Sequence, residues 1–227
     1  KHTTYSNIEI VIVDSGSKDP ETLFLYVENR SNSFQVVDYE GGFNYSKACN
    51  LGASRAKGDI LLFLNNDIET IEANWLDDLV RQALEPGVGV VGAKLLYPNG
   101  RIQHAGVVLG LGALAAHIFH DAEDGTWGPF GSPHTQRNWL AVTGACQLVR
   151  KSLFQLVGGY DERFELIYSD VVFCFDIQAM GFRNVYRPSS VLVHHEGATR
   201  GSINPGNDEI LFAKVIREHG IAADPYF

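Results

Sequence analysis

Apolar residues in this chain fall into short runs, each closed by a polar cluster, with strand and helix spacings alternating. Ile8 to Asp14 (IEIVIVD) is a β-branched run, and SGSKDPET after it carries turn residues and a helix start. Phe34 to Tyr39 predicts a second strand. GGFNYSKACNLGASRAKGD predicts a Gly-rich turn followed by a helix. The run ILLFL, Ile60 to Leu64, has the unbroken apolar character of a strand buried on both faces. Trp75, Leu76, Leu79, Val80, Ala83 and Leu84 share one helical face. Glu85 to Gly87 end that helix, and VGVVGAKLL returns as a strand. This alternation predicts an α/β fold with a mainly parallel central sheet, which binds ligands at the carboxyl ends of its strands.

The second half is less regular. From about Gly106 to Trp139 the chain is rich in Gly, Pro, His and Asp with weak periodicity, the pattern of a long functional loop or a mobile one. TGACQLV then predicts a strand, KSLFQLV a short helix and GGYDERF a turn. SDVVFCFDIQAMG predicts a helix with Ser169 as N-cap and Gly181 as its close. NVYR and VLV predict two short strands, and NDEILFAKVIREHG a terminal amphipathic helix capped by Asn207. Repeats, low-complexity tracts and linkers are absent from the sequence, so residues 1–227 are expected to form a single domain.

Composition narrows the function classes. At 45% hydrophobic and 20% charged the chain has an ordinary globular make-up. A net charge of -9 argues against non-specific nucleic-acid binding, which needs Lys and Arg. The three cysteines, Cys49, Cys146 and Cys174, have neither metal-ligand nor redox spacing and are expected to be reduced buried thiols. The longest apolar stretch, Ala105 to Phe119, is Gly-rich and shorter than the ~20 residues of a spanning helix. The expected location is therefore cytoplasmic, with peripheral attachment at the inner membrane face left open.

Polar clusters close several of the apolar runs. Asp14 follows IVIV; Asn65, Asn66 and Asp67 follow ILLFL; His194 and His195 follow VLV; Asp170 lies in a helix first turn. In a parallel sheet such strand ends share one edge. Oxygen ligands suit Mg²⁺ or Mn²⁺, and Mn²⁺ also accepts imidazole. Asp67 with His194 or His195 would fit such an ion and a phosphate ligand. Adjacent residues of a strand point to opposite faces, so one of the two histidines is expected to be a ligand and the other structural. Each cluster also has a plainer reading: Asp14 as a turn cap, Asn65 and Asn66 as turn residues. His117, His120 and Asp121 have helical spacing for a metal, but their irregular context favours a solvated or structural role.

NIEIVIVDSGSKDPET, GGFNYSKACNLGASRAKGDILLFLNNDIE, VTGACQLVRKSLFQLVGGYDERF and VLVHHEGAT together resemble the inverting family 2 glycosyltransferases, in particular the rhamnosyltransferase-like branch. The likeness runs in order from about Tyr5 to Arg200. It implies a GT-A fold, with a nucleotide-binding half at about 1–100 and an acceptor half at about 101–227. It also implies transfer of a sugar, with inversion, from a nucleotide diphosphate donor to an acceptor hydroxyl on a glycan or lipid-linked glycan, in bacterial surface polysaccharide synthesis. Asp14 with Ser15 matches the nucleoside contact. Asn65, Asn66 and Asp67 match the Asp-x-Asp region, with Asp67 as ligand of a divalent metal (Mn or Mg). Asp170 matches the general base. His194 or His195 matches the histidine near the metal, and Thr143 and Gly144 border the acceptor. The loop around Gly125 to Asn138 is expected to close over the donor.

The sequence departs from that family at three points. Ser169 stands where a glutamate is expected, and Val172 where a second acidic residue is usual; Asn65 replaces a carboxylate. KHTTY matches the end of a first helix, so an N-terminally incomplete domain of weakened activity is expected. Two other readings stand beside it: a non-catalytic nucleotide-sugar-binding scaffold, which these departures suggest, and a nucleotidyltransferase, which shares the Rossmann-like architecture. The second calls for a basic Gly-rich phosphate loop that the sequence lacks.

Overall fold

A computed structural model describes residues 3–195, 206–221 and 223–226. Its strands are β1 (Ile10–Asp14), β2 (Phe34–Asp38), β3 (Ile60–Leu64), β4 (Ile68–Thr70), β5 (Val88–Leu96), β6 (Ile102–His104), β7 (Val107–Leu109), β8 (Ala115–His117), β9 (Arg137–Trp139), β10 (Cys146–Arg150) and β11 (Arg183–His194). The helices are α1 (Pro20–Asn29), α2 (Tyr45–Arg55), α3 (Trp75–Ala83), α4 (Lys151–Leu156), α5 (Ser169–Ala179) and α6 (Gly206–Glu218), with a 3-10 segment at Pro129–His134.

Local chemistry sets several of these boundaries. Asp19 accepts from Thr22 N at 2.8 Å and Pro20 pre-sets the first helical φ, which starts α1. Asn44 caps α2 by accepting from Lys47 N at 2.8 Å. The helix α5 begins differently from the Ser169 cap expected: Tyr168 precedes it at φ 68 and Ser169 is already helical and buried. The Tyr168 ring stacks 4.2 Å from Phe212 of α6, a tertiary contact that accompanies this left-handed residue. Asn207 lies inside the first turn of α6 and not at its cap. Its neighbour Asp208 instead accepts from the backbone amides of Glu165, Leu166 and Ile167 at 2.9–3.1 Å, fixing the approach to α5.

The expected mainly parallel sheet is realised as a mixed one. A seven-stranded sheet runs β3-β10-β5-β11-β4, with β6 on β5 and β9 on β11. Parallel pairing joins β5 to β11 and, in a separate two-stranded sheet, β1 to β2. The strand β10 runs antiparallel between β3 and β5. Since it opposes both, β3, β5 and β11 still point the same way, and their carboxyl ends share one edge. The strand β3 ends the sheet order and buries only alternate residues, Leu61 and Phe63, where burial on both faces was expected. The two short strands expected at NVYR and VLV are one, β11, with a register shift between Arg187 and Val191 where Pro188 has no N–H to give.

Both faces of β5 are covered, which explains its unbroken apolar sequence. On one face Trp75, Leu76, Leu79, Val80 and Ala83 of α3 pack against Val88, Val91, Ala93 and Leu95. Leu84, expected on that helical face, is the C-cap and is exposed. On the other face α5 comes so close that a Cβ on Gly89 would stand 2.2 Å from Ile177 Cγ2. Phe63, Phe154, Tyr160 and Phe173 form an aromatic cluster there, with centroids 4.8–5.5 Å apart. Such contacts carry about 0.5–1.5 kcal/mol each beyond burial.

The irregular region 106–139 is more structured than its sequence predicts. It forms the β7–β8 hairpin and strand β9. The segment around 124–134 is pinned: Lys94 pairs with Asp124, Tyr186 donates to Pro133 O at 2.9 Å, and Trp127 stacks on His134. Among the described residues no helix is long and apolar enough to cross a membrane. Cys146 and Cys174 are buried and Cys49 partly so; burial pushes the thiols up, to about 12 for Cys49 and Cys146.

Candidate active site

The shared carboxyl edge of β3, β5 and β11 gathers most of the predicted residues. Asn65 leaves β3 with its amide donating to Ala145 O at 3.0 Å, which ties it to the start of β10. Asp67 follows two residues later. His194 closes β11 opposite Ile68, so its ring lies across from Asp67. His194 Nε2 stands 3.0 Å from Asp67 Oδ1 and 3.3 Å from Asn65 Nδ2.

The two histidines of the pair separate as strand alternation requires. His194 is buried and faces Asp67. His195 donates its backbone N–H to Asp67 O at 2.9 Å, but its exposed ring turns to Glu69 Oε2 at 3.2 Å. Asp67 Oδ1 is buried and accepts no hydrogen bond. Its 3.0 Å approach to His194 Nε2 becomes an ion pair only when the imidazole is protonated. When the neutral imidazole carries its hydrogen on Nδ1, two lone-pair atoms face each other. That is the disposition of two neighbouring ligands of one cation: octahedral ligands at about 2.0–2.1 Å from Mg²⁺ stand about 3 Å apart. The donor set, one carboxylate and one imidazole, suits Mn²⁺ as well. Among the described residues no group of three or more His, Cys, Asp or Glu could hold a metal. An ion here would thus complete its shell with water and a phosphate ligand, as Mg²⁺ commonly does.

Asp170 lies across the same edge. Its Oδ2 accepts from Gly144 N at 2.5 Å and its Oδ1 from Val171 N at 2.9 Å. Burial raises its pKa above the usual carboxylate range, against the lowering effect of those two amides and of His117. The helix-start position alone predicts a more acidic group, and desolvation wins. Gly144 has no room for a side chain: a Cβ would stand 3.0 Å from Asp170 Cβ and 3.1 Å from Tyr45 Oη. Tyr45 Oη donates to Gly144 O at 3.2 Å, bracing the peptide from its other side. Thr143 sits beside it, buried, with its N–H 3.5 Å from His104 Nε2. Ser169 and Val172, at the two positions of the missing acidic residues, are both buried.

Other expectations land elsewhere. Asp14 ends β1, in the two-stranded sheet, and its carboxylate accepts from Ser17 N at 3.1 Å and Tyr26 Oη at 3.3 Å. The Ser17 hydroxyl holds its pKa below the usual range. This is the turn-capping role its sequence context allows. Ser15 and Asn66 are exposed. Glu196 to Thr199, the rest of HHEGAT, lie outside the described residues.

Two buried residues near the site, Gln103 and His104, escaped sequence reasoning. Gln103 Oε1 accepts from His194 Nδ1 at 2.6 Å, and Gln103 O from His117 Nδ1 at 2.9 Å. The His117 ring packs edge-on against His104, 4.9 Å between centroids. So His117 belongs to strand β8 beside the site and not to a helical metal motif, while Asp121 is engaged by Arg101 at 2.7 Å. Burial, with His117 and His194 nearby, keeps the His104 imidazole neutral. A cleft of about 360 Å³ opens here, lined by Tyr97, Gln103, Leu111, Ala116, His117 and His120. The available signal was the polar pair Gln103–His104 between Ile102 and Ala105; a three-residue strand is too short for periodicity to flag it.

This architecture is the GT-A glycosyltransferase fold. The structure of GalNAc-T7 with UDP, GalNAc and Mn²⁺ superposes with a TM-score of 0.70 at 17% identity, over 93% of this chain and 43% of that one. A mannosyltransferase from Pyrobaculum calidifontis in complex with GDP-Man and Mn²⁺ gives 0.61 at 17% identity, over 97% of this chain and 64% of that one. The chain belongs to glycosyl transferase family 2, whose profile matches residues 1–186. It is 40% identical over 228 residues to the O-antigen biosynthesis protein RfbC of Myxococcus xanthus, covering 99% of this chain and 18% of that protein. A 63-residue stretch, 28% of this chain and 20% of its relative, is 40% identical to an N-acetylglucosaminyl-diphospho-decaprenol L-rhamnosyltransferase of Mycobacterium tuberculosis. The chain thus spans about a fifth of the length of these curated relatives.

Proposed function

We propose that this chain transfers a sugar, with inversion, from a nucleotide diphosphate donor to an acceptor hydroxyl in bacterial surface polysaccharide synthesis. The observation that carries the reading is the facing pair Asp67 Oδ1 and His194 Nε2, a buried carboxylate oxygen without a hydrogen bond, on the same sheet edge as the raised-pKa carboxylate of Asp170.

A divalent cation at that pair would offset charge developing on the departing diphosphate. Asp67 and His194 would hold it there, and Asn65 Nδ2 would donate to a phosphate oxygen. Asp170 accepts the proton of the acceptor hydroxyl as that oxygen attacks the anomeric carbon from the face opposite the diphosphate. Gly144 N and Tyr45 fix the direction in which Asp170 presents its second oxygen. The cleft beside Gln103, His117 and His120 seats the sugar, with Leu111 and Ala116 as an apolar wall. Its volume is near the lower limit of ligand pockets, about 300 Å³, and suits one small polar ring. Thr143 and Gly144 border the acceptor.

The test is calorimetric titration of UDP, dTDP and GDP, each with and without Mn²⁺. One nucleotide should bind in a Mn²⁺-dependent manner, and Asp67→Ala should abolish that dependence. Binding that is indifferent to Mn²⁺ and to Asp67 would overturn the assignment of the cation site.

A further inference from the structure

We propose that Gln103 is the positioning residue of this cation site: its side-chain carbonyl fixes the His194 ring so that Nε2, and not Nδ1, faces Asp67. The inference rests on the cation site proposed above and adds a residue to it.

Three observations support it. Gln103 Oε1 lies 2.6 Å from His194 Nδ1, and an amide oxygen accepts only, so Nδ1 carries the hydrogen. Gln103 and His194 are 2% and 6% exposed, so water does not compete for this bond. The main-chain carbonyl of the same residue takes the Nδ1–H of His117 at 2.9 Å, so Gln103 orients both imidazoles that flank the cleft in the same sense. With Nδ1–H committed, Nε2 of the neutral ring presents a lone pair beside Asp67 Oδ1. The contact of Asn65 Nδ2 with that nitrogen is long, 3.3 Å, and a cation can displace it. Groups bonded to the far nitrogen of a histidine ligand set its tautomer and orientation in this way. Orientation matters more here than in a metal cage, because the described residues supply too few ligands to hold an ion alone.

The alternative is specific. Turned over, the Gln103 amide would donate to Nδ1 and move the ring hydrogen to Nε2, where it would bond Asp67 and close the pair to a cation. Two measurements on the full chain decide between them. In ¹⁵N-histidine NMR of the metal-free protein, His194 should show a protonated Nδ1; an unprotonated Nδ1 would overturn the proposal without any variant having to fold. In Mn²⁺ titrations followed by the EPR signal of the free ion, alone and with inorganic pyrophosphate, Gln103→Leu should weaken affinity by about 10–100-fold. Gln103→Glu, which keeps an acceptor, should stay within about threefold of the unsubstituted chain or bind more tightly. Equal affinity of Gln103→Leu and the unsubstituted chain would overturn this inference alone. Absence of Mn²⁺ binding by the unsubstituted chain, with pyrophosphate present, would overturn the cation site and this inference together.

Discussion

The substitution Gly144→Ala tests whether the chain holds Asp170 as a base. The added methyl carbon would stand 3.0 Å from Asp170 Cβ, 3.1 Å from Tyr45 Oη and 3.3 Å from Asp170 Oδ2. Ordinary van der Waals contact begins near 3.4 Å, so the neighbours must yield by a few tenths of an ångström. The backbone of Gly144 is tied on both sides, by Asp170 Oδ2 on its N–H and Tyr45 on its carbonyl, so the displacement falls on the carboxylate. Overpacking of this kind costs about 1–3 kcal/mol, and in a chain of this size each kcal/mol lowers Tm by about 2–4 °C. A misplacement of about 1 Å at a reacting group costs on the order of 10²-fold, so a shift of a few tenths predicts a loss of roughly three- to tenfold in kcat. The assay is release of nucleoside diphosphate from the donor that titration identifies, with a thermal melt alongside. Gly42→Ala, where an added carbon meets nothing within 4 Å, is the control and should change neither. A Gly144→Ala protein that melts lower but keeps full kcat would refute the assignment of Asp170 as the base.

Further expectations follow from the same edge. Asp170→Asn should lower kcat by about 10²–10⁴-fold and leave nucleotide binding intact. Because burial raises the Asp170 pKa and a base must be ionised, activity should be lost as pH falls through a value above the usual carboxylate range of about 4. A pH–rate profile still flat at that point would contradict the burial argument. His194→Ala should abolish Mn²⁺-dependent nucleotide binding, whereas His195→Ala, whose exposed ring pairs with Glu69, should leave it within about twofold by calorimetry. Equal losses in the two would mean that both rings reach the ion.

Much of this molecule was determined by its sequence in a physical sense. The apolar runs at Ile10–Asp14, Ile60–Leu64 and Val88–Leu96 are strands, as their short length and flanking turn residues predict. Asn44 and Asp19 start helices because their side chains reach amides three residues on. That Asp67 and a histidine would meet at a strand edge was legible from where the runs end, and strand alternation already required one of His194 and His195 to turn away.

The tertiary structure decided what local pattern cannot carry. Strand direction depends on pairing across the sheet, so nothing in the residues of β10 itself announced that it enters antiparallel between β3 and β5. Which histidine faces Asp67 follows from the register of β11 on β4, a contact spanning more than a hundred residues. Whether Asp170 is acidic or basic depends on desolvation by residues far away in sequence, which outweighs the helix start that sequence alone reveals. Gln103 and His104 became part of the site only through packing: a strand of three residues has no period to read, and their partners His194, His117 and Thr143 come from three other parts of the chain.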